Sequence, residues 1–104
     1  MTTKANKKTI NKTIHKTINL LYIHGFNSSP LSLKSELTKQ YLQQYHQSVE
    51  FHCPQLLSSP IDAMAQLEAI LLSKPQQQWL LMGSSLGGFF STYLAQKYQL
   101  PAVL

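Results

Sequence analysis

The stretch Gln78-Trp79-Leu80-Leu81-Met82-Gly83-Ser84-Ser85-Leu86-Gly87-Gly88 decides how the chain is read. Its first five residues, QWLLM, form a short apolar run that reads as a buried strand. Gly83–Gly88 then turns the chain, and a helix follows to about Tyr98. Strand, glycine-rich turn, helix is the setting in which G-x-S-x-G acts as a nucleophile elbow. Such a turn forces its central residue into a strained backbone conformation and lifts the side chain above the sheet. The positions two before and two after the centre crowd each other, which suits Gly83 and Gly87. The helix that follows aims its first N–H groups and positive dipole end at the place where negative charge develops during acyl transfer. That geometry selects Ser85, rather than Ser84, as the candidate nucleophile. The alternative is a Gly/Ser loop that merely turns the chain. The flanking strand and helix and the extra Gly88 weigh against it.

Working outward, residues 18–23 (INLLYI) read as a first strand, and residues 32–45 carry Leu33, Leu37, Tyr41, Leu42 and Tyr45 at helical spacing. Residues 49–53 are a second strand, closed by Pro54. Ser59-Pro60-Ile61-Asp62 has the form of a helix start: Ser as N-cap, Pro in the first turn, an acid three after the cap. That helix runs to about Ser73, ahead of Pro75, and residues 101–104 (PAVL) open a fourth strand. The pattern β-α-β-α-β-α-β predicts an α/β fold, a parallel sheet with helices on both faces. Right-handed crossovers leave few arrangements, and the strand order 2-1-3-4 is expected. In that order the winding reverses between the first and third strands, and ligands bind beside such a reversal at the C-terminal ends of the strands.

Two loops would meet there. His24-Gly25-Phe26-Asn27-Ser28-Ser29-Pro30 leaves the first strand, and Gly83–Gly88 leaves the third. An oxyanion hole for acyl transfer takes one backbone N–H from the residue after the nucleophile, here Leu86, and one from the loop after a neighbouring strand. The Phe26 N–H is the candidate for the second, with Gly25 permitting close backbone approach. Read alone, HGF is an ordinary βα turn; the pairing of both loops across one reversal favours the oxyanion hole. His24 reads as a brace for this loop rather than a base, since a base must come within hydrogen-bond reach of the nucleophile.

Composition narrows the function classes. The 104 residues suit one domain, with a formal net charge of +5. The excess is local: Lys4, Lys7, Lys8, Lys12 and Lys16 precede Thr17, while Lys34, Lys39, Lys74 and Lys97 balance Glu36, Glu50, Asp62 and Glu68. Residues 1–17 therefore read as a basic, low-complexity tail with a short KTI repeat, and residues 18–104 as the folded unit. The chain has no Arg, which removes the usual bidentate phosphate and base contacts and argues against nucleic acid as partner. Nothing is apolar for long enough to span a membrane or serve as a signal peptide. The single cysteine, Cys53, allows no internal disulfide, and a cytoplasmic location is expected. Cys53 reads as a small buried residue, and His15, His46 and His52 have no metal-ligand spacing, so no metal is expected.

Residues 20–30 (LLYIHGFNSSP), 82–89 (MGSSLGGF) and 98–104 (YQLPAVL) together resemble the YqiA-like bacterial esterases of the α/β-hydrolase superfamily. The similarity runs from about Asn19 to the last residue. It implies a small, lidless, cytoplasmic carboxylic-ester or acyl-thioester hydrolase that needs no cofactor and acts on a small-molecule substrate. By motif, Ser85 takes the nucleophile role and Phe26 and Leu86 the oxyanion-hole role. The triad in that fold runs Ser, then Asp or Glu, then His, yet no residue after Ser85 is Asp, Glu or His. Members of the family carry both groups on further strands, which predicts that this chain stops within its fourth strand. The competing class is a catalytically inactive remnant or interaction module of the same fold. A nucleotide-binding Rossmann-like domain is disfavoured, because Gly83–Gly88 lacks both the G-x-G-x-x-G spacing and a P-loop Lys.

Overall fold

The computed structural model describes residues 17–25, 33–84 and 86–103. Four strands, β1 (Ile18–Ile23), β2 (Val49–His52), β3 (Gln78–Gly83) and β4 (Ala102–Val103), form one parallel sheet in the order β2-β1-β3-β4. Three helices, α1 (Leu33–Tyr45), α2 (Pro60–Ser73) and α3 (Leu86–Tyr98), connect them. Fold class and strand order are those read from the sequence. The element ends differ by a residue or so, for local reasons. β3 extends to Gly83 because Gly83 still pairs with Ile23. β4 begins only at Ala102, since Pro101 has no N–H to give a ladder; its carbonyl accepts from the Leu81 N–H at 3.0 Å. Residues 1–16 of the expected tail lie outside the described residues, while the Thr17 carbonyl already accepts from the Gln78 N–H at 3.1 Å.

β1 lies inside the sheet with helices over both faces, and from Leu20 to Ile23 its sequence is an unbroken apolar run. Leu21 and Ile23 point to one face, with Trp79 and Leu81 of β3 beside them. Ala63, Leu67 and Leu71 of α2 and Phe90 and Leu94 of α3 close over that face and form the core. Leu20 and Tyr22 point to the other face, where Tyr22 meets Phe51 of β2 with ring centroids 6.2 Å apart. α1 covers this second face, and its Thr38 hydroxyl reaches Met82 Sδ at 4.0 Å. The split follows from the winding. β1 to β2 crosses one way and the next two crossovers go the other way, so crossovers of one hand place α1 opposite α2 and α3.

Local chemistry sets the helix ends. Ser59 caps α2 from an extended conformation (φ −82°, ψ 131°), its hydroxyl accepting from the Asp62 N–H. Pro60 follows in the first turn, where its missing N–H costs nothing. α3 ends on Gln99, which adopts a left-handed φ of 56°, and the Leu100 N–H bonds the Ala95 carbonyl at 2.9 Å. That is a Schellman closure without the usual glycine. α1 is the exception to the amphipathic rule. Its only buried residue is Ser35, and of the apolar side chains that mark it as a helix in the sequence Leu33, Leu37, Tyr41 and Tyr45 are exposed while Leu42 is partly covered.

Candidate functional site

The site lies where the winding reverses, at the C-terminal ends of β1 and β3. Ile23 and Gly83 are paired neighbours there, and the Ser84 N–H continues the contact to the Ile23 carbonyl at 3.4 Å. The chain then tightens into α3, with the Gly87 N–H bonding the Ser84 carbonyl at 2.8 Å. The two exits from the sheet therefore run side by side, as their sequences suggest. Ser85 itself, and Phe26 in the neighbouring loop, lie outside the described residues.

What holds this corner together is the absence of two side chains. A Cβ on Gly87 would run into the Ile23 carbonyl oxygen and stand 2.7 Å from the Ile23 carbonyl carbon and 3.1 Å from the His24 oxygen. A Cβ on Gly83 would strike the Gly87 carbonyl oxygen and come within 2.5 Å of Ser91 Oγ. Real Cβ atoms essentially never come within 3.0 Å of such neighbours, so only glycine lets the start of α3 press against the ends of β1 and β3. Leu86 opens α3 at this point and is 46% exposed. Ser91, one turn further on, is the small residue that makes room for Gly83. It is fully buried, and among the described residues its hydroxyl has no hydrogen-bond partner. Nothing in the sequence motif singles out Ser91, although its spacing of four from Gly87 puts it on the same helix face.

His24 is 1% exposed and is held at both nitrogens. The Leu56 N–H donates to Nε2 at 3.3 Å, so Nε2 accepts and Nδ1 carries the proton, which it gives to the Gly25 carbonyl at 2.6 Å. His24 thus ties the buried Gly25 turn to the segment after β2. Neither nitrogen is left over to take a proton from a nucleophile. The Leu56 partner is 32 residues away in sequence, which is why sequence reasoning could not name it.

The remaining titratable groups sit elsewhere. His52, on β2, stacks beside Trp79 at 5.2 Å and donates from Nε2 to Asn19 Oδ1 at 2.9 Å. Asn19 is fully buried and passes the contact on to Gln77 Oε1 at 2.8 Å. Burial and the Lys74 ammonium hold His52 below its usual value, against an opposing pull from Glu50. This network belongs to the opposite, N-terminal end of the sheet. His46 is exposed beside Tyr41. Cys53, expected as a small buried residue, is half-buried. Burial pushes its thiol up to about 11, a hydrogen bond from Ser35 works against the rise, and Glu36 adds to it. Among the described residues no three of His, Cys, Asp and Glu come together as a metal site. Among them, too, no helix is long and apolar enough to cross a membrane.

Beside Ser84 a cleft of about 570 Å³ opens between α1 and the sheet. Its floor is Tyr22, Met82 and Val103, its wall is Lys34, Leu37 and Thr38, and Gly83, Ser84 and Gly88 close its end. Among the described residues Lys34 is the one charged residue in that lining. The family model of UPF0227, an uncharacterised protein family, matches residues 19–104, and the chain belongs to that family.

Proposed function

We propose that this UPF0227 chain is a serine hydrolase of the α/β-hydrolase type, a YqiA-like esterase acting on carboxylic esters or acyl-thioesters. The observation that carries the proposal is the jammed contact of Gly83 and Gly87 with each other and with the end of β1. A loop that only turned the chain has no need of such an approach. An elbow that must hold one residue at the mouth of the sheet does. By the G-x-S-x-G spacing the residue assigned to that place is Ser85, which precedes Leu86 in the sequence.

In this mechanism Ser85 Oγ bonds to the acyl carbon and the ester or thioester C–O or C–S bond breaks. The hydroxyl proton passes by way of a base to the departing alcohol or thiol. The backbone N–H groups of Leu86 and Phe26 donate hydrogen bonds to the carbonyl oxygen as negative charge builds on it, and water later releases the acid. His24 is a positioning residue: it fixes the Gly25 carbonyl and with it the start of the loop that carries Phe26. No Asp, Glu or His follows Ser85 in the sequence, and both nitrogens of His24 are engaged. The base and its orienting acid are therefore groups that these 104 residues do not contain. Serine chemistry of this kind needs no cofactor, and the substrate is a small-molecule ester rather than a nucleic acid or a membrane. A cytoplasmic location fits the lone thiol.

The missing base supplies a test. Without it an acyl group that reaches Ser85 has no route off, so an activated ester such as p-nitrophenyl butyrate leaves a stable adduct. Intact-mass and peptide mapping are expected to find one butyryl group, on Ser85, and none on Ser85→Ala. An equal adduct on the Ala variant, or one spread over lysines and tyrosines only, contradicts the proposal.

A further inference from the structure

The cleft beside Ser84 has a charged mouth and an apolar floor. A helix that joins two parallel strands of one sheet runs back against them, so α1 starts at the candidate-site end and descends. Thr38 marks its level: the hydroxyl bonds the Lys34 carbonyl at 2.8 Å and meets Met82 Sδ at 4.0 Å. Lys34 stands one turn higher, by about 6 Å. On β3 the same rise spans two residues at about 3.3 Å each, from Met82 to Ser84. Lys34 and Ser84 are therefore level with each other, and both line the cleft. Below them Met82 pairs with Tyr22 on one side and Val103 on the other, so the three side chains share one face of the sheet. Leu37 stands over this floor as the wall. From Ser84 down to Met82 and across to Val103 is about 11 Å. A saturated chain advances about 1.25 Å per carbon, so that path holds about eight carbons.

We propose that this cleft is the acyl subsite of the hydrolase, and that it takes a straight-chain acyl group of about eight carbons with its carboxyl end between Lys34 and Ser84. The subsite rests on the reading of Ser85 as nucleophile and narrows the substrate to medium-chain esters or thioesters. Ser84 immediately precedes Ser85, so an acyl carbon held at Ser84 is beside the residue assigned to attack it. Below the mouth the lining is Tyr22, Leu37, Met82 and Val103, with a Thr38 hydroxyl committed to the Lys34 carbonyl. Methylenes suit such a lining. Lys34 supplies a partner for the head. Hydrolysis turns a neutral ester into a carboxylate, and an ammonium level with Ser84 attracts it. The product acid is therefore itself a ligand, its chain in the cleft and its carboxylate at Lys34.

Two measurements separate the subsite from the chemistry. The first is the initial rate of Ser85 acylation by the p-nitrophenyl esters of butyrate and octanoate, read by intact mass. Each methylene withdrawn from water is worth about fourfold, and about twofold in a cleft open on one side, so the octanoate ester is expected to label about tenfold faster. The second is octanoate itself, titrated into Ser85→Ala and followed by amide NMR shifts, which needs no nucleophile. Shifts are expected at Lys34, Leu37, Thr38, Met82 and Val103. Leu37→Glu puts a carboxylate in the wall and is expected to weaken octanoate about tenfold and to remove the preference for the longer ester. Tyr41→Glu, on the same helix outside the lining, changes neither. Lys34→Gln is expected to weaken octanoate about threefold to fivefold and to leave octanol unchanged. Should Leu37→Glu fold poorly, Lys34→Gln decides the matter. Equal labelling by the two esters, shifts confined to residues outside the cleft, or an affinity that neither variant moves overturns the subsite. Octanoate binding with the expected variant pattern, but no label on Ser85 from either ester, upholds the cleft as an acyl-chain site and overturns the hydrolase reading instead.

Discussion

Gly87→Ala is the sharpest perturbation of the elbow, because two principles give it opposite signs. Gly87 lies in the first turn of α3, and in a helix Ala is ordinarily favoured over Gly by about 1 kcal/mol. The added Cβ, however, would overlap the Ile23 carbonyl oxygen and crowd the Ile23 carbon and the His24 oxygen. All three are backbone atoms, and Ile23 is fixed by its pairing with Gly83 in the sheet. No side chain can swing aside, so α3 has to back away from β1. Overpacking typically costs 1–3 kcal/mol, and with rigid partners the upper end applies, about 3 kcal/mol. Setting the helix preference against it leaves a net loss of about 2 kcal/mol. For a domain of this size that lowers Tm by roughly 8–16 °C. Thermal and urea unfolding followed by circular dichroism measure it directly. A Gly87→Ala variant as stable as wild type, or more stable, would mean that the helix start does not press on β1, and the case for an elbow would fail.

Other consequences are independent of the first. Ser91→Ala removes a buried hydroxyl that has no partner among the described residues, and should raise stability by about 1 kcal/mol in the same unfolding assay; a loss above that size would show that the hydroxyl is bonded after all. His52 is held below its ordinary value of 6.5, first by burial and then by Lys74. The unfolded chain therefore takes up the proton first, and stability should fall as pH drops through about 6.5 and below. His52→Gln should flatten that part of the Tm–pH curve, and an unchanged slope would exclude His52 as its source. Cys53, pushed up to about 11 from 9.0, should react with iodoacetamide near pH 8 about 100-fold more slowly in the native protein than in urea. Equal rates would place the thiol in water.

Much of this architecture is legible in the residues themselves. The order β2-β1-β3-β4 follows once four strands and three helices are counted, because handed crossovers exclude nearly every other arrangement. Gly83 and Gly87 are readable because their spacing is set by one local turn, and the cap at Ser59 because it acts within a single turn. What escapes the sequence is anything decided by a distant partner. Leu33, Leu37, Tyr41 and Tyr45 have the periodicity of a core-facing stripe, and periodicity does not say which way a helix is rolled. That depends on Ser35 being the residue small enough to lie against the sheet beside Cys53. In the same way the brace on His24 is the Leu56 N–H, a backbone group that any residue at that position would supply. The orphaned Ser91 hydroxyl shows only when α3 is seen against Gly83.

The central claim is that position 85 carries a serine made reactive by its place in the elbow. A fluorophosphonate probe followed by peptide mass mapping measures this most directly. An oxyanion hole still supplies roughly 10³–10⁴-fold over water when triad members are missing, so labelling should be detectable and confined to Ser85. It should be lost in Ser85→Ala and kept in Ser84→Ala. Label on Ser84, or label of equal intensity in the Ser85→Ala variant, would contradict the account.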